Sequence, residues 1–504
     1  MPGQRAAHPT RHEIRPPVRL QSYAFAFAVL AAFLLLVHGP LLRLPFFWDE
    51  AGQYVPASLD IFRSGAWIPV STVPNIHPPG VMAYLAAFWS VFGFSIEATR
   101  IAMLLLAAAG ALLSFLLAIE LSRGAPGTPA FAAVALLCLS PLFFAQSMLA
   151  QLDMPAMCFS VLALLLFLQD RIRACAIACV VLVAVKETGI VVPALFAGWL
   201  IHERRLRDAL WFLLPVPLLL FWLTELHRVT GYWLGSRAFG DYNLRYPLEP
   251  WHLLLAFFRR IYYLFIGSGH IFGTIALMWA WKRMPLLRSR PWRIAGAFVA
   301  AQIMVVSLFG GAVLERYLLP ALPVVYAAFA VSLQALRPLM RRWVLAALLV
   351  CLAAANFVKP VYPFPFENNL AFVDFVALER AVAGAVELRG PGPVAAVFPV
   401  TDGLRRPELG FVDTPRQVID IDNFSQPEID KLRNQNPAMV VVCHRDWDPL
   451  GLLAYPAFEN FAEKHYGYVP ELRAEEVAAA LSMHVVGRWQ RRGLSMELLA
   501  RPPF

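Results

Sequence analysis

The sequence predicts a polytopic α-helical membrane protein of about 11–13 spans with a small C-terminal α/β extracytoplasmic domain. Three observations predict it. Of 504 residues, 59% are hydrophobic and only 15% charged, against roughly 45–50% and 25% in soluble domains. The apolar excess falls in blocks of about 16–25 residues between Tyr23 and Phe357. Beyond Lys359 the composition becomes that of an ordinary soluble chain. Collagen, coiled-coil and disordered classes are excluded, because long apolar blocks broken by Pro and charge fit none of their periods.

The formal charge of +9 sits mostly in short runs between apolar blocks: Arg204, Arg205 and Arg207; Lys282, Arg283, Arg288, Arg290 and Arg293; and Arg337, Arg341 and Arg342. Such runs mark cytoplasmic loops, and no nucleic-acid partner is expected. Five of the six cysteines lie inside apolar blocks, so no disulfide framework is implied. Cys175 and Cys179 share a helix face without a nearby His or acid, the pattern of small-residue packing. Arg5, Arg11, Arg15 and Arg19 precede a first apolar block without a clear cleavage site. Residues 1–21 then read as a cytoplasmic tail ahead of an uncleaved first span.

Span one, 22–38, leads to an outside loop of about forty residues. The block 80–93 is short for a crossing at ~1.5 Å per residue against a core of ~30 Å, and reads as a juxtamembrane helix or half-span. Further spans are expected at 97–121, 129–147, 152–169, 174–185, 187–201, 209–226, 258–282, 293–310, 315–335 and 343–358. Eleven crossings put the tail outside, and thirteen would preserve that sidedness. Arg123, Arg171 with Arg173, both large basic clusters and Arg341 with Arg342 then all fall inside. The transmembrane domain covers 22–358 and the extracytoplasmic domain 359–504. The latter opens with a Pro-rich linker, Pro360 to Pro365, and a helix over Ala371–Leu388. β-like runs follow at Val394–Phe398, Gln417–Ile421 and Met439–Cys443, with a closing hairpin of Val485–Gln490 and Leu494–Leu499 about Arg491-Arg492-Gly493.

Several polar groups fall on the outside face. Phe46-Phe47-Trp48-Asp49-Glu50 places two acids at the membrane edge, where a partly desolvated carboxylate can act as a base or bind a cation; an exposed acid pair is the plainer reading. Asp153, in Gln151-Leu152-Asp153-Met154-Pro155, is either functional or a helix-initiating cap. Lys186 and Glu187 break an over-long apolar run at the same face, and ionisable groups near lipid are functional by default unless they merely turn a hairpin. Arg316, followed by Tyr317, offers a fork suited to phosphate, or else anchors a span. His77, in His77-Pro78-Pro79-Gly80, and Arg100 add further polar groups there. The acids lack a diagnostic metal-ligand spacing, although a divalent metal could bridge them. No Walker, dinucleotide, zinc-protease or nucleophile-elbow motif occurs.

The order WDEAGQY, HPPG, QLDMP, KETG, LERYLLPALP resembles the GT-C membrane glycosyltransferases, nearest the protein O-mannosyltransferase and lipid A aminoarabinose transferase group, over residues 20–340. That resemblance implies inverting transfer of a sugar from a polyprenyl-phosphate donor to a lipid, glycan or protein acceptor. The setting it implies is the outer face of a bacterial cytoplasmic membrane. Asp49 matches the family's first-loop acid, the general base. Asp153 matches the second acidic loop, and Glu50 adjoins the base. His77 departs from the pattern, since many relatives have Lys before Pro-Pro. A lipid-borne phosphate needs cations but no protein acid for departure, so Lys186, Arg316, Arg100, Tyr317 and His77 are the candidate phosphate partners. The competing class is a polytopic lipid or glycan transporter or flippase, which should show matched interrupted halves and a midplane site; neither repeat nor matched interruption is found.

Overall fold

The structure, a computed structural model, describes residues 20–360, 364–443 and 450–501. The arginines of the N-terminal tail and residues 361–363 of the Pro-rich linker lie outside the described residues. Among those described, seven helices are long and apolar enough to cross a membrane, and five shorter apolar helices accompany them; the chain is a multi-pass membrane protein. The long helix Ile96–Leu121 packs along Asp153–Leu168 through small residues. A side-chain carbon on Gly110 would come within 2.7 Å of Met157, so backbone closeness is the basis of this contact.

The apolar blocks become helices close to their expected bounds, with two breaks. The block at 129–147 divides at Ser140 into Pro129–Leu139 and Pro141–Gln146, because Pro141 cannot donate the hydrogen bond that would continue the first helix. The block expected at 258–282 starts earlier and parts at Gly267–Gly269 into Pro250–Phe265 and His270–Trp281. Gly269, at φ 84°, lies where any side chain would strike Cys351. Residues 80–93 form the thirteen-residue helix Gly80–Phe92, and the preceding loop contains a helix not foreseen, Val55–Ser64.

Basic connections gather at one end of the bundle. Arg205 pairs with Asp170 at 2.7 Å, Arg290 pairs with Glu203 at 2.7 Å, and Trp292 donates to the Leu121 carbonyl. The acidic loop after the first helix, the turn before Asp153, the Lys186 break and the Arg316 segment meet at the other end.

On that end sits a five-stranded sheet, β1 (Val394–Ala396), β2 (Val418–Asp420), β3 (Met439–Cys443), β4 (His484–Arg491) and β5 (Leu494–Ala500), in the order β2-β1-β3-β5-β4. β1 is parallel to β2 and β3, while β5 runs antiparallel to β3 and β4. The β4–β5 turn holds Arg492 and Gly493 at φ 42° and 79°, the two left-handed positions of a type I′ hairpin. Helix Ala371–Leu388 backs the sheet and carries Phe372 and Phe375 against Phe47, and Phe46 donates its backbone N–H to the Leu409 carbonyl. Sheet and acidic loop are therefore packed as one body.

Gly80 opens its helix where a side-chain carbon would lie 2.4 Å from the Ala184 carbonyl oxygen. Gly80→Val should therefore cost about 1–3 kcal/mol of stability by overpacking. A lowered thermal midpoint of the detergent-solubilised protein would register it; an unchanged midpoint would contradict the close approach.

Candidate active site

The acidic loop reaches its shape through an unusual backbone. Trp48 takes φ 49°, a left-handed conformation rare for a bulky residue, and Glu50–Tyr54 forms a single π-helical turn. Trp48 is held there by ring contacts with Phe375 and Phe398 at 5.9 and 5.4 Å. The result sends the two adjacent acids in opposite directions.

Glu50 turns inward and is fully buried. It accepts from the backbone N–H groups of Phe47 (3.0 Å) and Ala150 (2.6 Å) and pairs with Arg100. Arg100 in turn donates to the carbonyls of Met148, Leu44 and Pro45. This pair ties the loop before Asp49 to the loop before Asp153. Glu50 and Arg100, both expected at the reacting face, are absent from the cavity wall: desolvation makes each a partner for the other.

Asp49 turns toward the cavity and meets Arg316. The Arg316 guanidinium, a donor only, turns its fork toward three carboxylates. Nη2 bonds Asp49, Nε stands 3.1 Å from Asp153, and Nη1 stands 2.8 Å from Glu367. Only the Asp49 contact is an aligned hydrogen bond; Nε and Nη1, though buried, have no aligned acceptor. Asp153 caps no helix with its side chain and takes a second cation, Lys186, at 2.5 Å. Lys186 stands at an extended residue between two helices, φ −153° and ψ 124°, with Nζ 4.1 Å from the Tyr317 ring centroid. Beside it, His77 Nδ1 lies 2.8 Å from Glu187.

These groups floor a cavity of about 800 Å³. Asp49, His77, Lys186, Arg316 and Tyr317 line it; Asp153 does not, standing behind Lys186 and Arg316. One flank is apolar and drawn from two candidate spans, Leu219 and Leu223 on one, Val305 and Val306 on the other. Glu187, singled out with Lys186 from the sequence, also lines the polar wall, and Tyr54, Arg259, Lys359 and Glu367 join it without having been singled out. Arg259 was detectable in principle, because Arg259 and Arg260 are adjacent charges inside an apolar block. It pairs with buried Glu315 at 2.5 Å. Burial, with Asp49 nearby, pushes the Tyr54 phenol well above its ordinary value, so it stays a neutral donor. Among the described residues no group of three or more His, Cys, Asp or Glu could hold a metal ion. The converging carboxylates are already arranged around a guanidinium and do not fit a metal cage.

No protein-family model and no curated protein matches the sequence. In three dimensions the chain is similar to ArnT from Cupriavidus metallidurans bound to undecaprenyl phosphate. The identity is 16% and the TM-score 0.57, covering 96% of this chain and all of that one. The apo state of the same protein gives 17% and 0.56, with 96% and 99% covered. The archaeal oligosaccharyltransferase AglB from Archaeoglobus fulgidus is a looser likeness, 11% identical with a TM-score of 0.49 over 89% of this chain and 72% of that one. The fold is the GT-C fold, in agreement with the resemblance carried by the sequence motifs.

Arg100→Leu leaves Glu50 buried without its cation and should cost about 3–5 kcal/mol. Adding Glu50→Gln should restore part of the loss. Thermal unfolding of both variants in detergent checks this, and a single variant as stable as the parent would contradict it.

Proposed function

We propose that the chain is an inverting glycosyltransferase that moves a sugar from a polyprenyl-phosphate carrier to a lipid, glycan or protein acceptor at the outer face of the bacterial cytoplasmic membrane. The observation that carries this is the cavity itself, with an apolar flank from membrane helices above a floor of Arg316, Lys186 and Arg259. A polyprenyl chain needs the first and its phosphate the second. ArnT, one of the structural neighbours, was solved bound to undecaprenyl phosphate. The site lies at the end of the bundle opposite the basic connections, which by the positive-inside rule face the cytoplasm. A transporter would place it at the midplane.

Within this reading Asp49 is the base. Its side chain is 26% exposed, against 12% for Glu187 and 3% for Glu367, so it is the carboxylate an acceptor reaches. The acceptor oxygen or nitrogen attacks the anomeric carbon as its proton passes to Asp49. The bond from that carbon to the phosphate oxygen breaks on the opposite side, which inverts the centre, and the polyprenyl phosphate leaves with its charge held by Arg316 and Lys186. His77 and Tyr317 shape the phosphate end, His77 held by Glu187 and Tyr317 beneath Lys186. Asp153 orients both cations from behind. Glu50 and Arg100 act at one remove, fixing the loop that presents Asp49. Residues 359–504 form the extracytoplasmic domain.

Asp49→Asn should lower transfer from a polyprenyl-phosphate sugar by about 10²–10⁴-fold, the usual worth of a positioned base. Near-normal turnover would overturn the assignment. Mass spectrometry of envelope lipids and glycans from cells with and without the intact gene should show one sugar missing from one acceptor, and identical profiles would count against the transferase.

A further inference from the structure

Glu367 follows the last helix of the bundle, in the short turn Phe366–Asn368 that leads to the sheet. Its side chain is buried, with Oε2 accepting from Gln151 at 2.9 Å and Oε1 facing Arg316 at 2.8 Å. It also borders the cavity. With every group ionised, Asp49, Asp153 and Glu367 supply three negative charges and Arg316 and Lys186 two positive ones, which leaves one uncompensated negative charge in a buried cluster. A bound phosphate would make two. Such a cluster favours a proton on its most buried member.

We propose that Glu367 is a positioning residue for the lipid phosphate. Its carboxylate and the incoming phosphate compete for Arg316, so a proton on Glu367 opens the guanidinium to the carrier and loss of that proton closes it. This rests on the reading of the cavity as a polyprenyl-phosphate site. Burial pushes Glu367 up to about 7, Arg316 and Gln151 opposing the rise while Asp49 and Asp153 add to it. The charged and titratable groups around it are Asp49 from the acidic loop, Asp153 with Lys186 behind, and Glu315, Arg316 and Tyr317 on the facing segment. Lys359 and Arg259 share the same wall, with Tyr54, His77 and Glu187 across the cavity. The sign follows directly. Below pH 7 Glu367 is neutral and the phosphate is held; above it Glu367 is anionic and the phosphate is released more readily. Competition with a group titrating near 7 raises an apparent dissociation constant about tenfold between pH 6 and pH 8.

The test uses the full chain in detergent and a polyprenyl methyl phosphate. This diester keeps a single charge across that range, so the probe itself does not titrate. The native protein should show the tenfold weakening from pH 6 to pH 8 and Glu367→Asp, which keeps a titratable carboxyl, a weakening in the same direction, while Glu367→Gln should bind with the same affinity at both. In transfer assays the same step should appear in KM for the donor and not in kcat. A step of equal size in Glu367→Gln, or flat binding in the native protein, overturns the inference and leaves the lipid-phosphate site standing. Absence of saturable diester binding at either pH in all three proteins removes that site and the inference together.

Discussion

One guanidinium organises the working end of this protein. Arg316 collects Asp49, Asp153 and Glu367 from three segments distant in the chain, and each of those carboxylates would be expensive to bury alone. Their shared cation offsets that cost only in part, since two of its donors lack an aligned acceptor. The contacts with Arg316 bring three segments together, yet they leave Nε and Nη1 without an aligned acceptor. A guanidinium fork pairs bidentately with carboxylate or phosphate alike, and none of these three carboxylates takes it in that aligned way.

A second, quieter pair makes this arrangement reproducible. Glu50 and Arg100 have no access to solvent and satisfy backbone groups of two loops at once. Rigid support behind a reacting group holds geometry that loops alone do not provide. Trp48 extends the support to the sheet by lodging among Phe375 and Phe398, so the acidic loop is braced from the bundle on one side and from the C-terminal region on the other.

Much of this was legible in the sequence. Counting apolar blocks and basic runs brings Asp49, Asp153, Lys186 and Arg316 to one face, and they do converge there. What stayed hidden had physical causes. Whether Asp49 or Glu50 faces outward depends on a left-handed Trp and one π-helical turn, for which adjacent acids carry no signature. Asp153 reads as a functional acid or a helix-initiating cap, and nothing in the sequence shows that its surroundings bury it behind two cations. Glu367 sits in Phe366-Glu367-Asn368-Asn369, a stretch of ordinary loop composition, and its partners Gln151 and Arg316 are far away in the chain. The breaks at Pro141 and Gly269 fall inside long apolar blocks, where only the short Ser140-Pro141 and Gly267-Ser268-Gly269-His270 runs mark them.

The chain order of the three carboxylates has an outcome for biosynthesis. Asp49, Asp153 and Arg316 are all in place once the bundle is inserted, whereas the last member arrives only with the tether to the sheet. A nascent bundle halted before that point holds its guanidinium with two anions instead of three, and its acidic loop lacks the aromatic brace contributed by Phe375 and Phe398. The centre is complete only when the segment after the last bundle helix has folded against it, and a product cut before Phe366 lacks both Glu367 and that brace.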